Sequence, residues 1–252
     1  MSFYASLRKE ILELVRTHRL LVMAVILVFF GLASPLLAKL MPEIIGFFPG
    51  AEDFALLVPT PTISDAFTQY VKNLSLFGPM LAFLMAMGAV AQEKERGTAV
   101  LVLVKPLSRA VFLLAKFVAL ALAFLGCLAL AGLAGYYYTV LLFGAPDPFA
   151  WLVLNVMLWL YVLVYVALTL LASTIAKSQA AAAGLGIGAI VILGALPTLP
   201  GLGKYLPGQL VTWGTTLLTD PSARSWPALG TSLGLIAACL VAAWIILDRQ
   251  EI

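Results

Sequence analysis

The sequence predicts an all-α, polytopic membrane protein with six transmembrane helices, and three observations carry that prediction. Hydrophobic residues make up 63% of the 252 positions and charged residues 11%, against roughly 45–50% and 25% in soluble domains. The apolar residues also fall into blocks near the ~18–20 residues that span a hydrocarbon core about 30 Å thick. Runs such as 20–37 and 229–247 are apolar on every side, whereas a barrel strand alternates, so helices are the spanning element.

The elements follow in chain order. Phe3, Tyr4, Leu7, Ile11, Leu14 and Val15 recur at helical spacing, with Arg8, Lys9, Glu10, Glu13 and Arg16 on the other side. This pattern predicts an interfacial helix over 1–19 lying on the membrane surface; the alternative is a solvated helix packed on a soluble partner. The stretch is too long and too mixed in charge to be the basic region of a cleaved signal peptide. Spans are expected at 20–40, 74–91, 111–143, 151–176, 180–196 and 229–247, so that 1–252 forms one transmembrane domain. At about 1.5 Å per residue the third exceeds the bilayer core and should tilt or project. Between the first two spans, Thr62 and Asp65 have capping-box spacing, which predicts a short amphipathic helix at the outer surface feeding span two. The segment 197–227 carries five prolines and reads as irregular, or as a broken, partly re-entrant element.

Charge sets the expected orientation. Eleven Lys and Arg lie in the N-terminal segment, around Lys94–Lys116, at Lys177 and at Arg249, against four (Lys39, Lys72, Lys204, Arg224) in the alternate loops. The positive-inside rule then places both termini, the 92–109 loop and the Lys177 turn in the cytoplasm. The net charge of +3 needs no further explanation, and no charge run points to nucleic acid.

Several chemistries are excluded by what is missing. His18 is the only histidine, so one chain cannot assemble a di-histidine zinc motif, a haem pair or a Ser/His protease. None of the six predicted spans contains Asp or Glu, which ion-coupled carriers place there to bind the ion. No Gly-rich sequence ends in Gly-Lys-Ser or Gly-Lys-Thr, so the chain holds no nucleotide by that route. Catalytic, metal and cofactor sites are accordingly expected to be absent. Cys127 and Cys239 fall inside apolar runs, where a small soft side chain packs without special chemistry.

The 92–109 segment combines a charge cluster (Glu93, Lys94, Glu95, Arg96), Gly97-Thr98, an apolar stretch, and then Lys105-Pro106-Leu107-Ser108-Arg109. Physically it suits a short helix along the inner membrane face, with 100–104 sunk toward lipid and the charges open to a cytoplasmic protein. The order of residues resembles the permease subunits of type 2 ABC transporters. Their loop between spans two and three looks like Glu-x-Glu-x-Gly-Thr, apolar residues, Pro-x-Ser-Arg and a downstream Lys, matched here by Glu93, Glu95, Gly97, Thr98, Leu101, Pro106, Ser108, Arg109, Phe112 and Lys116. Ala99-Val100 and Ala115 depart from the commoner pattern.

The resemblance implies that this segment is a coupling helix seated in a groove of a separate ABC ATPase subunit, which would hold ATP and Mg. It further implies a second permease copy as a homodimer, export as the direction, an extracytoplasmic accessory protein and a prokaryotic inner membrane. Among relatives, the layout without a large outer domain is most similar to the permease of the nitrous-oxide-reductase maturation transporter. Two other classes remain open: a membrane scaffold for cytoplasmic partners, separated by testing for ATP-dependent movement of a compound, and an ATPase-independent channel or carrier, separated by flux through the purified chain alone.

Two further patterns have paired readings. Ala180, Gly184 and Gly188 repeat every fourth residue, giving a flat helix face that serves either a moving permease interface or static packing within one subunit. Trp151, Asn155 and Trp159 share a face of span four, either lining a path for an amphipathic substrate or serving as a belt anchor and ordinary packing. Tyr136, Tyr137 and Tyr138 are expected in the interfacial belt.

Overall fold

The computed structural model describes residues 3–47, 60–97, 108–198, 201–217 and 224–250. Every regular element among them is helical. The helices are α1 (Phe3–Arg16), α2 (Arg19–Gly46), α3 (Ile63–Ala86), α4 (Ala91–Glu95), α5 (Arg109–Phe143), α6 (Pro148–Ile175), α7 (Gln179–Ala195), α8 (Gly208–Thr216) and α9 (Trp226–Arg249), with 3-10 turns at Leu196–Thr198 and Gly203–Tyr205.

Five stretches are long and apolar enough to cross a bilayer: α2, Ile63–Glu95 (which includes α3), α5, α6 and α9. α7 is apolar but only 17 residues long, at the lower edge of what spans a hydrocarbon core. The helix starts follow local chemistry. Ser108, Asp147 and Ser178 each accept a backbone N–H of the first turn, from Val111, Phe149 and Ala181, and Pro148 opens α6 where its missing N–H costs nothing.

The capping box forms at the start of α3, where the Asp65 carboxylate accepts the Thr62 N–H at 2.8 Å and the Thr62 hydroxyl at 2.7 Å. The helix it opens is not the separate short element expected ahead of span two. α3 runs unbroken from Ile63 to Ala86, because Phe67, Tyr70 and Leu74 continue as one buried stripe into Leu81 and Met85. Asp65→Ala is expected to raise amide exchange over 63–66 roughly fivefold, the effect of losing about 1 kcal/mol of capping. Unchanged exchange there would show that the cap contributes nothing.

The bundle is organised around α5 and α6. α5 packs against α1, α2, α6 and α9, and α6 against α3, α7, α8 and α9. Small residues permit the tightest crossing. A Cβ on Gly31 of α2 would lie 2.5 Å from the Ala131 carbonyl oxygen of α5, so only glycine allows that approach. One turn further along α5, Gly135 lies against Tyr70 and the Gly31 carbonyl. At the end that carries the α5–α6 connection, Trp151 meets Tyr70 (4.7 Å between centroids), Phe67 (5.2 Å) and Tyr136 (6.1 Å). The segment expected to be irregular or broken resolves, in its described part, into two 3-10 turns and the short helix α8, with Leu210 and Trp213 buried.

Candidate functional site

The opposite end of the bundle gathers the charged residues that the apolar spans exclude. α4 is a five-residue helix followed by a turn at Arg96 and Gly97. Gly97 has φ +68°, a left-handed conformation that glycine adopts without steric cost. Of the expected coupling residues, Thr98, Lys105 and Pro106 lie outside the described residues, as does the apolar stretch 100–104. Glu93, Lys94, Glu95, Arg96, Gly97, Ser108 and Arg109 are described, and they do different jobs.

Glu93 belongs to an ion cluster that joins three helices. Lys116 of α5 has a side chain only 3% exposed and reaches Glu10 of α1 at 3.0 Å and Glu93 of α4 at 2.8 Å. Lys9 bridges from outside, 3.2 Å from Glu10 and 3.1 Å from Glu93. Partial burial opposes the charge on Lys9, but the Glu10 and Glu93 carboxylates outweigh it and hold its ammonium above the ordinary lysine value. The ring of Phe112 lies 4.9 Å beneath the Lys116 ammonium, within cation–π range. A buried cation between two carboxylates is stable only as a set, since each charge satisfies another's desolvation.

Lys94 points the other way, its ammonium donating to the Thr174 carbonyl at the end of α6 and to the Gln250 side chain. Arg109, at the first turn of α5, donates to the carbonyls of Leu247, Asp248 and Gln250. A cation there satisfies terminal carbonyls of α9 and complements its negative dipole end. Glu95 accepts the Gln179 N–H at 3.0 Å, placing a carboxylate at the positive end of α7. The Ser173 hydroxyl of α6 accepts both the Val90 and Ala91 N–H at 3.0 Å, satisfying donors at the start of α4 that have no helical partner. Arg96 is exposed.

The short segment around α4 is therefore bonded to α1, α5, α6 and α7 and, through Gln250, to the end of α9. A displacement of this segment breaks or strains those contacts. Sequence reasoning singled out its charges but not their partners Glu10, Ser173, Gln179 and Gln250. Lys116 was legible as the lysine downstream of the Pro-x-Ser-Arg pattern; the other four are ordinary polar residues until the fold brings them together.

The remaining candidates are placed elsewhere. Trp151 Nε1 donates to the Gly132 carbonyl and Trp159 Nε1 to the Ala121 carbonyl, both on α5. Asn155 accepts from the Tyr70 hydroxyl at 2.6 Å and donates to the Trp151 carbonyl, so the three tie α6 to α5 and α3. They also border an open apolar groove of about 430 Å³ along the α5–α6 seam. Ala180, Gly184 and Gly188 are exposed on α7, and added Cβ atoms on the two glycines would meet nothing within 4 Å. Within this chain the close approach on α7 falls instead at Gly186, against Phe83.

The chain is 30% identical over 214 residues, 82% of its own length and 81% of the relative's, to a Bacillus subtilis (strain 168) protein described as the uncharacterized transmembrane protein YxlG. The model of the family described as ABC-2 family transporter protein matches residues 4–252. The chain is thus an integral membrane protein belonging to the ABC-2 transporter family.

Proposed function

We propose that the chain is the permease subunit of an ATP-driven exporter, working as a homodimer with two copies of a separate ABC ATPase that bind ATP and Mg. The observation that carries this reading is the bonding of the 90–97 segment to four helices and, through Gln250, to the end of a fifth. A force applied to Glu95–Gly97 from the cytoplasm reaches the bundle through Lys116, Lys94 and Glu95 rather than dissipating in a loop. For nucleotide-driven closure to shift the permease, this segment must contact the open and closed ATPase pairs unequally. Exposed Arg96 supplies a charged contact at that surface, and Gly97 the bend that presents it.

In this reading α7 is the sixth span, and both termini and the α4 end are cytoplasmic at a prokaryotic inner membrane, as the distribution of Lys and Arg favours. The open α7 face around Ala180, Gly184 and Gly188 supports a second copy there, and the layout without a large outer domain supports kinship with the nitrous-oxide-reductase maturation permeases. The α5–α6 groove beside Trp151, Asn155 and Trp159 suits an amphipathic substrate, and an extracytoplasmic accessory protein would meet the opposite end.

In the complex reconstituted in vesicles, Glu95→Ala with Arg96→Ala is expected to lower permease-dependent ATP hydrolysis several-fold while membrane insertion stays intact. Hydrolysis at the wild-type rate would reject the coupling role.

A further inference from the structure

We propose that the elbow between α1 and α2 binds one anionic phospholipid, its phosphate held by Arg16 and Arg19 and one acyl chain lying in the groove where α1, α2 and α5 meet. The groove measures about 510 Å³ and includes Leu14, Leu20, Ala24, Ala123, Gly126 and Leu130 in its lining. Its side chains, from Ile11 of α1 to Leu130 of α5, are aliphatic apart from Cys127, whose thiol is turned to the Leu20 carbonyl at 4.0 Å. Nothing in it would satisfy a polar occupant, so the occupant is hydrocarbon.

Length and direction agree with a lipid tail. From Ala119 to Leu130 the groove follows α5 for about 16 Å at 1.5 Å per residue, close to half of a ~30 Å hydrocarbon core, which is one leaflet. It begins under α1, which carries exposed Phe3, Tyr4, Leu12 and Val15, as expected of a helix seated at the headgroup level.

Charge selects an anionic headgroup. The chain turns at Thr17 and His18, the latter left-handed with φ 56°, and sets exposed Arg16 and half-buried Arg19 on either side of the turn. Among the described residues neither arginine is in an ion pair. The neighbouring carboxylates Glu10 and Glu93 are held by Lys116 and Lys9, and Glu13 lies 3.9 Å from Lys9. Five cations (Arg8, Lys9, Arg16, Arg19, Lys116) and three carboxylates (Glu10, Glu13, Glu93) therefore line the two clefts beside α1. Basic residues at the cytoplasmic surface attract anionic lipid by about 1 kcal/mol each, or roughly fivefold in affinity.

Gly126 provides the decisive variant, because a Cβ there meets nothing within 4 Å and Gly126→Leu would fill the groove without disturbing packing. The purified full-length chain would be titrated in detergent with phosphatidylglycerol or phosphatidylcholine and read by native mass spectrometry. Wild type is expected to retain phosphatidylglycerol preferentially, Gly126→Leu to lose about tenfold, and Arg16→Gln with Arg19→Gln to lose about 25-fold together with the preference. Equal retention of the two lipids by wild type would overturn the proposal. So would undiminished retention by Gly126→Leu melting like wild type, or a dimer that this substitution disrupts. The double arginine variant, with Arg16 exposed and Arg19 half-buried but neither in the apolar core, is read beside its melting temperature and decides the matter even if Gly126→Leu misfolds. No ATP is involved, so failure here leaves the permease reading standing, and uncoupled hydrolysis would leave lipid retention unchanged.

Discussion

Lys116→Met is expected to destabilise the folded chain by about 3–5 kcal/mol, because it leaves buried carboxylates without their cation. Glu10 and Glu93 have side chains only 14% and 15% exposed, and Lys9, which also bridges the two, is nearly half exposed and too well solvated to offset the loss of the buried cation. At roughly 2–4 °C per kcal/mol for a chain of this size, the melting temperature in detergent should fall on the order of 10 °C. The triple variant Lys116→Met, Glu10→Gln, Glu93→Gln should recover most of that loss, since it removes the unbalanced charges together with the cation. If the single variant melts like wild type, the cluster is not a structural joint. If the triple variant melts normally but no longer supports permease-dependent ATP hydrolysis, the joint serves transmission rather than folding.

Gly31→Leu is expected to force α2 away from α5. The new Cβ would meet the Ala131 backbone at 2.5 Å from oxygen and 3.1 Å from both carbonyl carbon and Cα. Backbone cannot rotate aside as a side chain can, so the cost should meet or exceed the usual 1–3 kcal/mol of overpacking. Thermal unfolding and protease resistance should both fall. Gly184→Ala, read on the monomeric chain in detergent, is the matched control: its Cβ meets nothing among the described residues of the same chain, and helix propensity predicts a gain of roughly 0.5–1 kcal/mol. Equal behaviour of the two variants would place the tight crossing somewhere other than Gly31.

The two glycines show how far pattern reasoning reaches. Gly184 and Gly188, with Ala180, form a periodic small face that any reading of the sequence selects, yet among the described residues no other helix closes on the two glycines. Gly31 stands alone in the run 20–40, without a small residue four positions away on either side, and it makes the closest approach among the described glycines. Spacing reports that a face is flat; it does not report which helix lies opposite. The same limit explains α3. The cap at Thr62–Asp65 was legible because its groups are three residues apart, whereas the continuation of the helix through 74 depends on partners in α2 and α6.

Membrane character, helical class, the Thr62–Asp65 cap and the uneven spacing of Lys and Arg along the chain all rest on groups close together in the sequence, where composition and periods of 3.6 residues are sufficient physics. Which ends meet is another matter. Lys116 with Glu10 is a contact across 106 residues, and Arg109 with Leu247 one across 138. Such pairings arise only when the packed helices bring their polar ends to one place, and the low dielectric between them then makes each unpaired charge costly enough to select a single arrangement.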